Sequence, residues 1–547
     1  MTASAVGDAS PGGHAGSSAL RGGILLPGLI VAAYGALVLY GVSIHEPWFD
    51  EAQAWLLVRD SSLWELLSVR LRYEGHPPLW YLLVYPLARL GAPFESVGLV
   101  SAAAGVLGTA VLAFDRRVPL AFRALVPFTY FFAYQFAVVA RSYALFFPLL
   151  ALLARLWPAP LERPRSTGTL LGLLCLVSAH GACMAWALAC YAACAEARAR
   201  GVDSLRRRGV VAGLLVVSAF SVVAVLTIRP PGNLAIQPRL DLYQHFFWER
   251  LPLTAARVFL AVGETPILGI VLTAGILLWL LARRRLLLAL TLLASVLPLL
   301  TIYMSVWHEG LLVLVLFFAV LVALRDDRRR KGESWALAAR LAGVFLVMTA
   351  VLQVFWTGMA MAWDRSNTYS GARAAAAFVQ RFVDEGKRIV VMGFSGLGLG
   401  AYLGRNIYSN YSIPGGGGYW HWGAPSPLFY APAHVLDPRA MARWAATQLT
   451  PRPDVIVVSA KFRSERIYGQ VIEDTGDYCT AAIFPGGIFW KTRTMESETF
   501  FVFVRKPPSG CGSLGPGRRG EPAVSAGSRA NAASGSGRRR TPAGPPA

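Results

Sequence analysis

The chain has 547 residues, a formal net charge of +21, and a composition that is 55% hydrophobic but only 15% charged. A soluble globular protein carries roughly 25% charged residues, so this composition excludes an ordinary soluble protein and predicts a polytopic α-helical membrane protein. Many of the arginines stand in short clusters between apolar runs, where the positive-inside rule accounts for them. The charge therefore predicts no nucleic-acid partner, and the sequence shows no recognition motif for one.

The first span is predicted to start near Ile24 and to run outward, after a disordered N-terminal tail at 1–22 that is rich in Gly, Ser and Ala. Further apolar segments follow, up to a run that begins near Trp335. Twelve such segments would return the C-terminus to the cytoplasm, whereas the arginine clusters place it outside. We therefore expect about eleven transmembrane helices within residues 23–363, embedded in the lipid bilayer.

The outer loop at 44–76 holds two adjacent acids, Asp50 and Glu51, in the stretch WFDEAQAW (48–55). Carboxylates at a membrane edge call for an explanation. Long Lys and Arg side chains extend to the water interface, whereas the shorter Asp and Glu side chains do so less readily. One interpretation is a solvated loop with an aromatic belt. The other is a general base, or a site for a divalent cation such as Mg or Mn with Asp50 as its ligand.

Further polar residues stand where the predicted spans meet the outer face. The stretch SSLWELLSVRLRY, which follows the acidic pair, predicts an interfacial helix on the membrane. Each lone histidine could equally be a polar turn residue, and Arg141 could be a cytoplasmic anchor or a cation that binds a phosphate in an outer cavity. The candidates for substrate binding are Glu74, His76, Arg141, Tyr143, His180, His308 and Glu309.

Residues 364–506 differ in composition and predict a small extracytoplasmic α/β domain. GARAAAAFVQRFVDEG predicts an amphipathic helix, and KRIVVMGF, DVIVVSA and TFFVFVRK predict strands. SGLGLG (395–400) follows a strand but lacks the spacing of a dinucleotide-binding fingerprint, which favours a turn. The sequence does not decide whether Cys479 and Cys511 form a disulfide. A disordered basic tail is expected at 507–547.

Three motifs occur in a characteristic order: WFDEAQAW (48–55), GHPPLWYLL (75–83) and ARSYALFFPLLAL (140–152). A Ser-x-His follows between two spans, at His180. This order resembles the membrane glycosyltransferases of fold type C, the superfamily that holds the protein O-mannosyltransferases and the aminoarabinose lipid A transferases. The chain is most similar to bacterial members, and the firm resemblance covers roughly its first 200 residues.

The resemblance implies a multi-pass enzyme of the bacterial inner membrane that transfers a sugar at the extracytoplasmic face. The donor would be a polyprenyl-phosphate-linked sugar, and the acceptor would arrive from outside. In this superfamily the acid at the Asp50 position serves as catalytic base or metal ligand, and Glu51 would orient or supplement it. Many relatives carry an Asp near the position of Tyr143, and this departure puts metal dependence in doubt.

The residue types suit such a reaction. An inverting transfer needs a base for the acceptor's proton, for which Asp50 is the candidate. The lipid phosphate that leaves needs a cation, for which Arg141 is the first candidate and His76 and His308 are weaker ones. Two other classes stay open, a transporter or flippase and a non-catalytic membrane scaffold. Substitution of Asp50 and Glu51 distinguishes a scaffold from a transferase, because a scaffold would tolerate their loss and a transferase would not.

Overall fold

The computed structural model describes residues 15–234, 240–302, 305–326, 333–392, 396–406, 417–422, 438–460, 466–507 and 510. The predicted disordered tails therefore lie largely outside the described residues. One correction concerns the first tail, because helix α1 already begins at Ala15. A helix that has nucleated in the apolar run can propagate backward at one hydrogen bond per residue.

Helices make up most of the first two thirds of the chain. In chain order they are α1 (Ala15–Ile44), α2 (Phe49–Asp60), α3 (Leu63–Glu65), α4 (Leu71–Glu74), α5 (Leu79–Arg89), α6 (Val97–Ala113), α7 (Leu120–Leu125), α8 (Phe146–Leu156), α9 (Pro164–Cys175), α10 (Ala179–Arg200), α11 (Arg208–Ile228), α12 (Leu240–Val262), α13 (Pro266–Ala282), α14 (Leu286–Ile302), α15 (Glu309–Arg325) and α16 (Glu333–Ser366). A π-helical turn, Leu66–Arg70, joins α3 to α4, so the predicted interfacial helix exists with a wider turn in its middle.

Among the described residues, five helices are long and apolar enough to cross a membrane, and a sixth span exists if α12 and α13, bent by 85°, count as one. The five are Ile24–Ile44, Phe94–Ala113, Arg208–Ile228, Val306–Arg325 and Glu333–Ser366. The described residues thus form a mostly helical protein with several helices that have the length and composition of membrane spans, but the expected count of eleven is not confirmed. Several apolar runs form shorter helices. The 11 residues of α8, for example, extend about 17 Å, against a hydrocarbon core of about 30 Å.

The spanning helices differ in what surrounds them. In the helix Val306–Arg325, 89% of the apolar stretch is buried inside the protein, whereas the corresponding value for α11 is 17%. Helix α15 therefore forms the centre of the bundle, and α11 presents apolar side chains outward, as a lipid-facing helix does. Where α9 meets α11 the backbones touch, since a Cβ on Gly168 would lie 2.4 Å from the Gly213 carbonyl oxygen.

The C-terminal part is a small α/β domain. Its elements are α17 (Ala372–Asp384), β1 (Ile389–Met392), α18 (Leu397–Tyr402), α19 (Pro438–Thr447), β2 (Val455–Ala460), α20 (Arg466–Asp474), β3 (Tyr478–Phe484), β4 (Gly487–Trp490), β5 (Arg493–Ser497) and β6 (Thr499–Arg505). One sheet has the order β1-β2-β6-β3, in which β1 and β2 are parallel and the other pairs antiparallel. β4 and β5 form a separate hairpin.

The predicted helix and three strands of this domain are confirmed as α17, β1, β2 and β6. The stretch predicted as a turn at 395–400 instead leads into the short helix α18, although residue 395 lies outside the described residues. Cys479 is disulfide-bonded, and Cys511 lies outside the part of the chain that the structure describes. The hairpin was not predicted, and it connects this domain to the helical bundle.

The β4–β5 hairpin inserts its turn into the bundle. The Lys491 ammonium there is buried and lies 2.8 Å from the Glu309 carboxylate at the start of α15. It also faces the ring of Trp356 on α16, at 4.8 Å. A buried lysine costs free energy unless a charge partner and aromatic faces surround it, as they do here. The hairpin therefore fixes the C-terminal domain on the bundle.

Candidate active site

A cavity of about 750 Å³ lies where the outer loop, the bundle and the C-terminal domain meet. It is bounded by the N-terminus of α2, the end of α4, the turn before α8, the start of α10 and the turn before α15. The residues predicted from the sequence that line it are Asp50, Glu74, His76, Arg141, Tyr143, His180 and His308. Two predicted residues, Glu51 and Glu309, are not in its wall.

Asp50 and Arg141 face each other in this cavity. An Arg141 terminal nitrogen lies 3.3 Å from Asp50 Oδ2, and the Arg141 and Asp50 side chains are 18% and 25% exposed, respectively. The guanidinium also lies over the Tyr143 ring, 5.4 Å from its centre. Arg141 is therefore a cavity residue, as the phosphate-binding interpretation requires, and it stays accessible to an anion that enters.

Glu74 is the second carboxyl group in the cavity. It accepts a hydrogen bond of 2.6 Å from Gln53 Nε2 and another from the indole of Trp422. Burial, together with the nearby charge of Asp50, raises the pKa of Glu74 to about 8, although both hydrogen bonds oppose the shift. At neutral pH this carboxyl is protonated. Gln53 and Trp422 both donate to it, so neither accepts its O–H, which can donate a hydrogen bond to a ligand.

His76, His180 and His308 line the cavity. His76 Nδ1 lies 2.9 Å from the Glu74 carbonyl oxygen, to which it donates, so Nε2 is the acceptor nitrogen of the ring. Burial and the charge of Arg141 lower the pKa of His76, which favours this neutral form. His308 Nδ1 accepts from the Ser305 N–H at 3.1 Å, and its ring lies 5.7 Å from that of His180.

The described residues do not fit a metal site at Asp50. Among them, no three His, Cys, Asp or Glu side chains come close enough together to hold an ion. The cation that does face Asp50 is the guanidinium of Arg141.

The structure places Glu51 in the protein core and not in the cavity wall. Its side chain is fully buried and accepts hydrogen bonds from the backbone N–H groups of Trp48, at 3.0 Å, and Ala140, at 2.6 Å. Ala140 immediately precedes Arg141, so Glu51 ties the helix that carries Asp50 to the segment that carries Arg141. Adjacent residues on a helix point about 100° apart, which places one acid in the cavity and the other in the core.

A buried histidine completes this connection. His45 Nε2 lies 3.4 Å from Glu51, and its Nδ1 lies 2.9 Å from Asp364 at the end of α16. Burial alone would lower the pKa of His45, but the two carboxylates raise it to about 10. The imidazolium therefore compensates two buried acids. Sequence reasoning missed both His45 and Asp364, because 319 positions separate them.

Glu309 likewise has a structural position. It binds the Lys491 ammonium at 2.8 Å and the Arg257 guanidinium at 3.2 Å. Burial lowers the pKa of Lys491, and the charge of Glu309 opposes that shift. Glu309 thus anchors the C-terminal hairpin beside the cavity. Its sequence neighbour His308 lines the cavity itself.

The C-terminal domain also holds the first turn of α2. The Phe49 N–H donates to Glu498 Oε1 at 3.1 Å, and Glu498 is fully buried. A carboxylate at a helix N-terminus satisfies a free N–H and is favoured by the helix dipole. Two acids that are far apart in the sequence, Glu51 and Glu498, therefore orient the turn that carries Asp50.

Comparison with known proteins does not assign the chain to a family. No family model matches it, and no curated protein matches it. Residues from each of the three stretches 48–55, 75–83 and 140–152 line the same cavity.

We predict that Glu51→Gln destabilises the protein and that Asp50→Asn does not. The glutamine would keep one acceptor oxygen but place its NH₂ group against the other of the two backbone donors, at a cost of about 1–3 kcal/mol. The ion pair of Asp50 is partly exposed, and such pairs contribute about 0–1 kcal/mol. Thermal unfolding of the purified variants in detergent measures both effects, and equal losses in both variants would contradict the assignment of separate roles.

We also predict a pH-dependent effect at Glu74. Its pKa is raised above the ordinary 4.5 on folding, so the stability it contributes is complete below that value and is lost as the pH rises toward about 8. Glutamine keeps one acceptor oxygen and does not titrate. The melting temperature of Glu74→Gln should therefore rise relative to wild type between about pH 5 and about pH 8, and then level off.

A matched control for this series is Glu162→Gln, because the Glu162 side chain is 61% exposed. Its difference from wild type should not change over the same pH range. A flat profile for Glu74→Gln as well would show that the Glu74 carboxyl is not held in its protonated form.

Proposed function

We propose that this protein is a membrane glycosyltransferase that moves a sugar from a polyprenyl-phosphate-linked donor to an acceptor at the extracytoplasmic face of the inner membrane. The observation that carries the proposal is the Asp50–Arg141 pair, which places a carboxylate and a guanidinium 3.3 Å apart in one large cavity. Transfer from a phosphate ester needs both a base for the acceptor and a cation for the leaving phosphate.

The pair suggests an order of events. The donor phosphate binds the Arg141 guanidinium, which matches phosphate oxygens in charge and geometry. That contact competes with Asp50 for the same cation and leaves the Asp50 carboxylate available as a base. Asp50 accepts the proton of the acceptor hydroxyl while the acceptor oxygen bonds to the anomeric carbon. The bond from that carbon to the phosphate oxygen breaks, and polyprenyl phosphate leaves with the electron pair.

The other cavity residues support the same reaction. The protonated Glu74 can donate a hydrogen bond to a sugar hydroxyl or a phosphate oxygen without adding negative charge. His76 and His308 are held in defined tautomers and can orient polar groups of either substrate. Small-molecule sites occupy about 300–1,000 Å³, and the cavity volume of about 750 Å³ accommodates a sugar phosphate. The lipid tail would extend between the apolar helices.

Asp50→Asn is expected to reduce sugar transfer by at least about 100-fold, the usual contribution of a general base. Arg141→Lys should retain part of the activity, because it keeps the charge and loses the bidentate geometry. The assay is release of polyprenyl phosphate from a panel of labelled polyprenyl-phosphate sugars, in membranes that lack other transferases.

The matched control is Asp203→Asn, since the Asp203 side chain is 90% exposed. It should have the activity of wild type. If wild type releases polyprenyl phosphate from no donor, and Asp50→Asn still complements a deletion strain, the transferase proposal is wrong. A transporter, flippase or scaffold would then account for the protein.

A further inference from the structure

The segment Gly417–Trp422 of the C-terminal domain lies on the outer-loop helices and reaches the cavity. The Gly418 N–H donates to Asp60 Oδ2 at 2.6 Å. The side-chain amide of Gln53 binds both backbone groups of Trp420, accepting from its N–H at 2.8 Å and donating to its carbonyl at 2.9 Å. Gln53 stands on α2, one turn after Asp50.

Side chains of the same segment make further contacts. The Arg70 guanidinium lies over the Tyr419 ring at 5.0 Å, and the His421 ring lies 4.5 Å from that of Tyr73. Each residue from Gly418 to His421 therefore has a partner on α2–α4 or on the π-helical turn between them. The segment is held as a fixed wall.

Gly418 suits this close approach. A Cβ there would lie 2.9 Å from Asp60 Oδ2 and 3.0 Å from an Arg59 terminal nitrogen. These distances are shorter than ordinary contacts, so a larger residue would require the Asp60 and Arg59 side chains to shift. The sequence thus permits the backbone contacts that bring the next residues to the cavity.

Trp422 is the residue of this segment that lines the cavity. Its indole donates a hydrogen bond to Glu74, which also accepts from Gln53. The three side chains form an aromatic face beside a carboxyl and an amide. The C–H faces of a pyranose or furanose ring pack on aromatic surfaces, and planar polar side chains bind its hydroxyls.

We infer that Trp422 and Glu74, held by Gln53, form the subsite for the sugar ring of the donor. This inference rests on the proposed function and deepens it. Phosphate recognition then belongs to Arg141 on the bundle, and sugar recognition belongs to a wall completed by the C-terminal domain. The C-terminal domain is thus part of the substrate site.

The test measures binding by the full-length protein in lipid nanodiscs. The probes are undecaprenyl phosphate and a panel of undecaprenyl-phosphate hexoses and pentoses. Wild type should bind one sugar-bearing donor more tightly than undecaprenyl phosphate. Trp422→Ala removes an aromatic ring together with its hydrogen bond, so it should lower the affinity for that donor by about tenfold. The same variant should leave the affinity for undecaprenyl phosphate unchanged.

Trp422→Phe keeps an aromatic ring without the N–H donor, so it should reduce the preference by a smaller factor, and it replaces the alanine variant if that variant does not fold. Trp64→Ala is the matched control, because Trp64 is 79% exposed and does not line the cavity. Full sugar preference in both Trp422 variants would overturn the inference while leaving the proposed function intact. Failure of wild type to bind any of the probes would overturn both.

Discussion

The Glu51 carboxylate accepts backbone hydrogen bonds from Trp48 and Ala140 and faces the imidazolium of His45. It is fully buried, so these partners must stay in place if its charge is to be compensated. These contacts also fix the positions of Asp50 and Arg141 in the cavity, because Asp50 precedes Glu51 and Arg141 follows Ala140 in the chain. The distance between the Asp50 carboxylate and the Arg141 guanidinium therefore depends on a buried residue that does not line the cavity.

The same arrangement connects the bundle to the C-terminal domain. His45 pairs with Asp364 where the last span ends, Glu498 binds the first turn of α2, and Lys491 binds Glu309 beside His308. Each contact pairs a buried polar or charged group with its complement, and breaking one partner of such a pair is costly. The C-terminal domain is thus held at two of these places, through Glu498 and Lys491, which explains how one of its segments can form part of the wall.

The sequence indicated many of the polar residues in the cavity wall, but not the contacts that hold them in place. Asp50, Glu74, His76 and Arg141 stand near predicted span ends, where polar residues are few and noticeable. Glu51 and Glu309 lie outside the cavity wall, and sequence adjacency could not show this because it does not reveal which side of a helix a residue faces. Trp422 and Gln53 could be recognised only from contacts between distant segments, although the aromatic run GYWHW was a signal near Trp422.

The number of spans could not be predicted for a related reason. An apolar run reports only that a helix avoids water, and a buried core helix and a lipid-facing helix give the same signal. Helix α15 is surrounded by protein and α11 is not, yet both are strongly apolar. In the C-terminal domain, strands with long β-branched runs were predicted, whereas the β4–β5 hairpin, with its Gly and Trp residues, lacked that pattern.

The central claim is that the cavity binds the phosphate of a polyprenyl-linked sugar at Arg141. The most direct measurement is a cryo-electron microscopy structure of the full-length protein in nanodiscs, saturated with a non-hydrolysable phosphonate analogue of the donor. The account predicts density for the phosphonate in contact with the Arg141 guanidinium, with Asp50 released from that pair. An analogue bound elsewhere, or a cavity that stays empty under saturation, would contradict it.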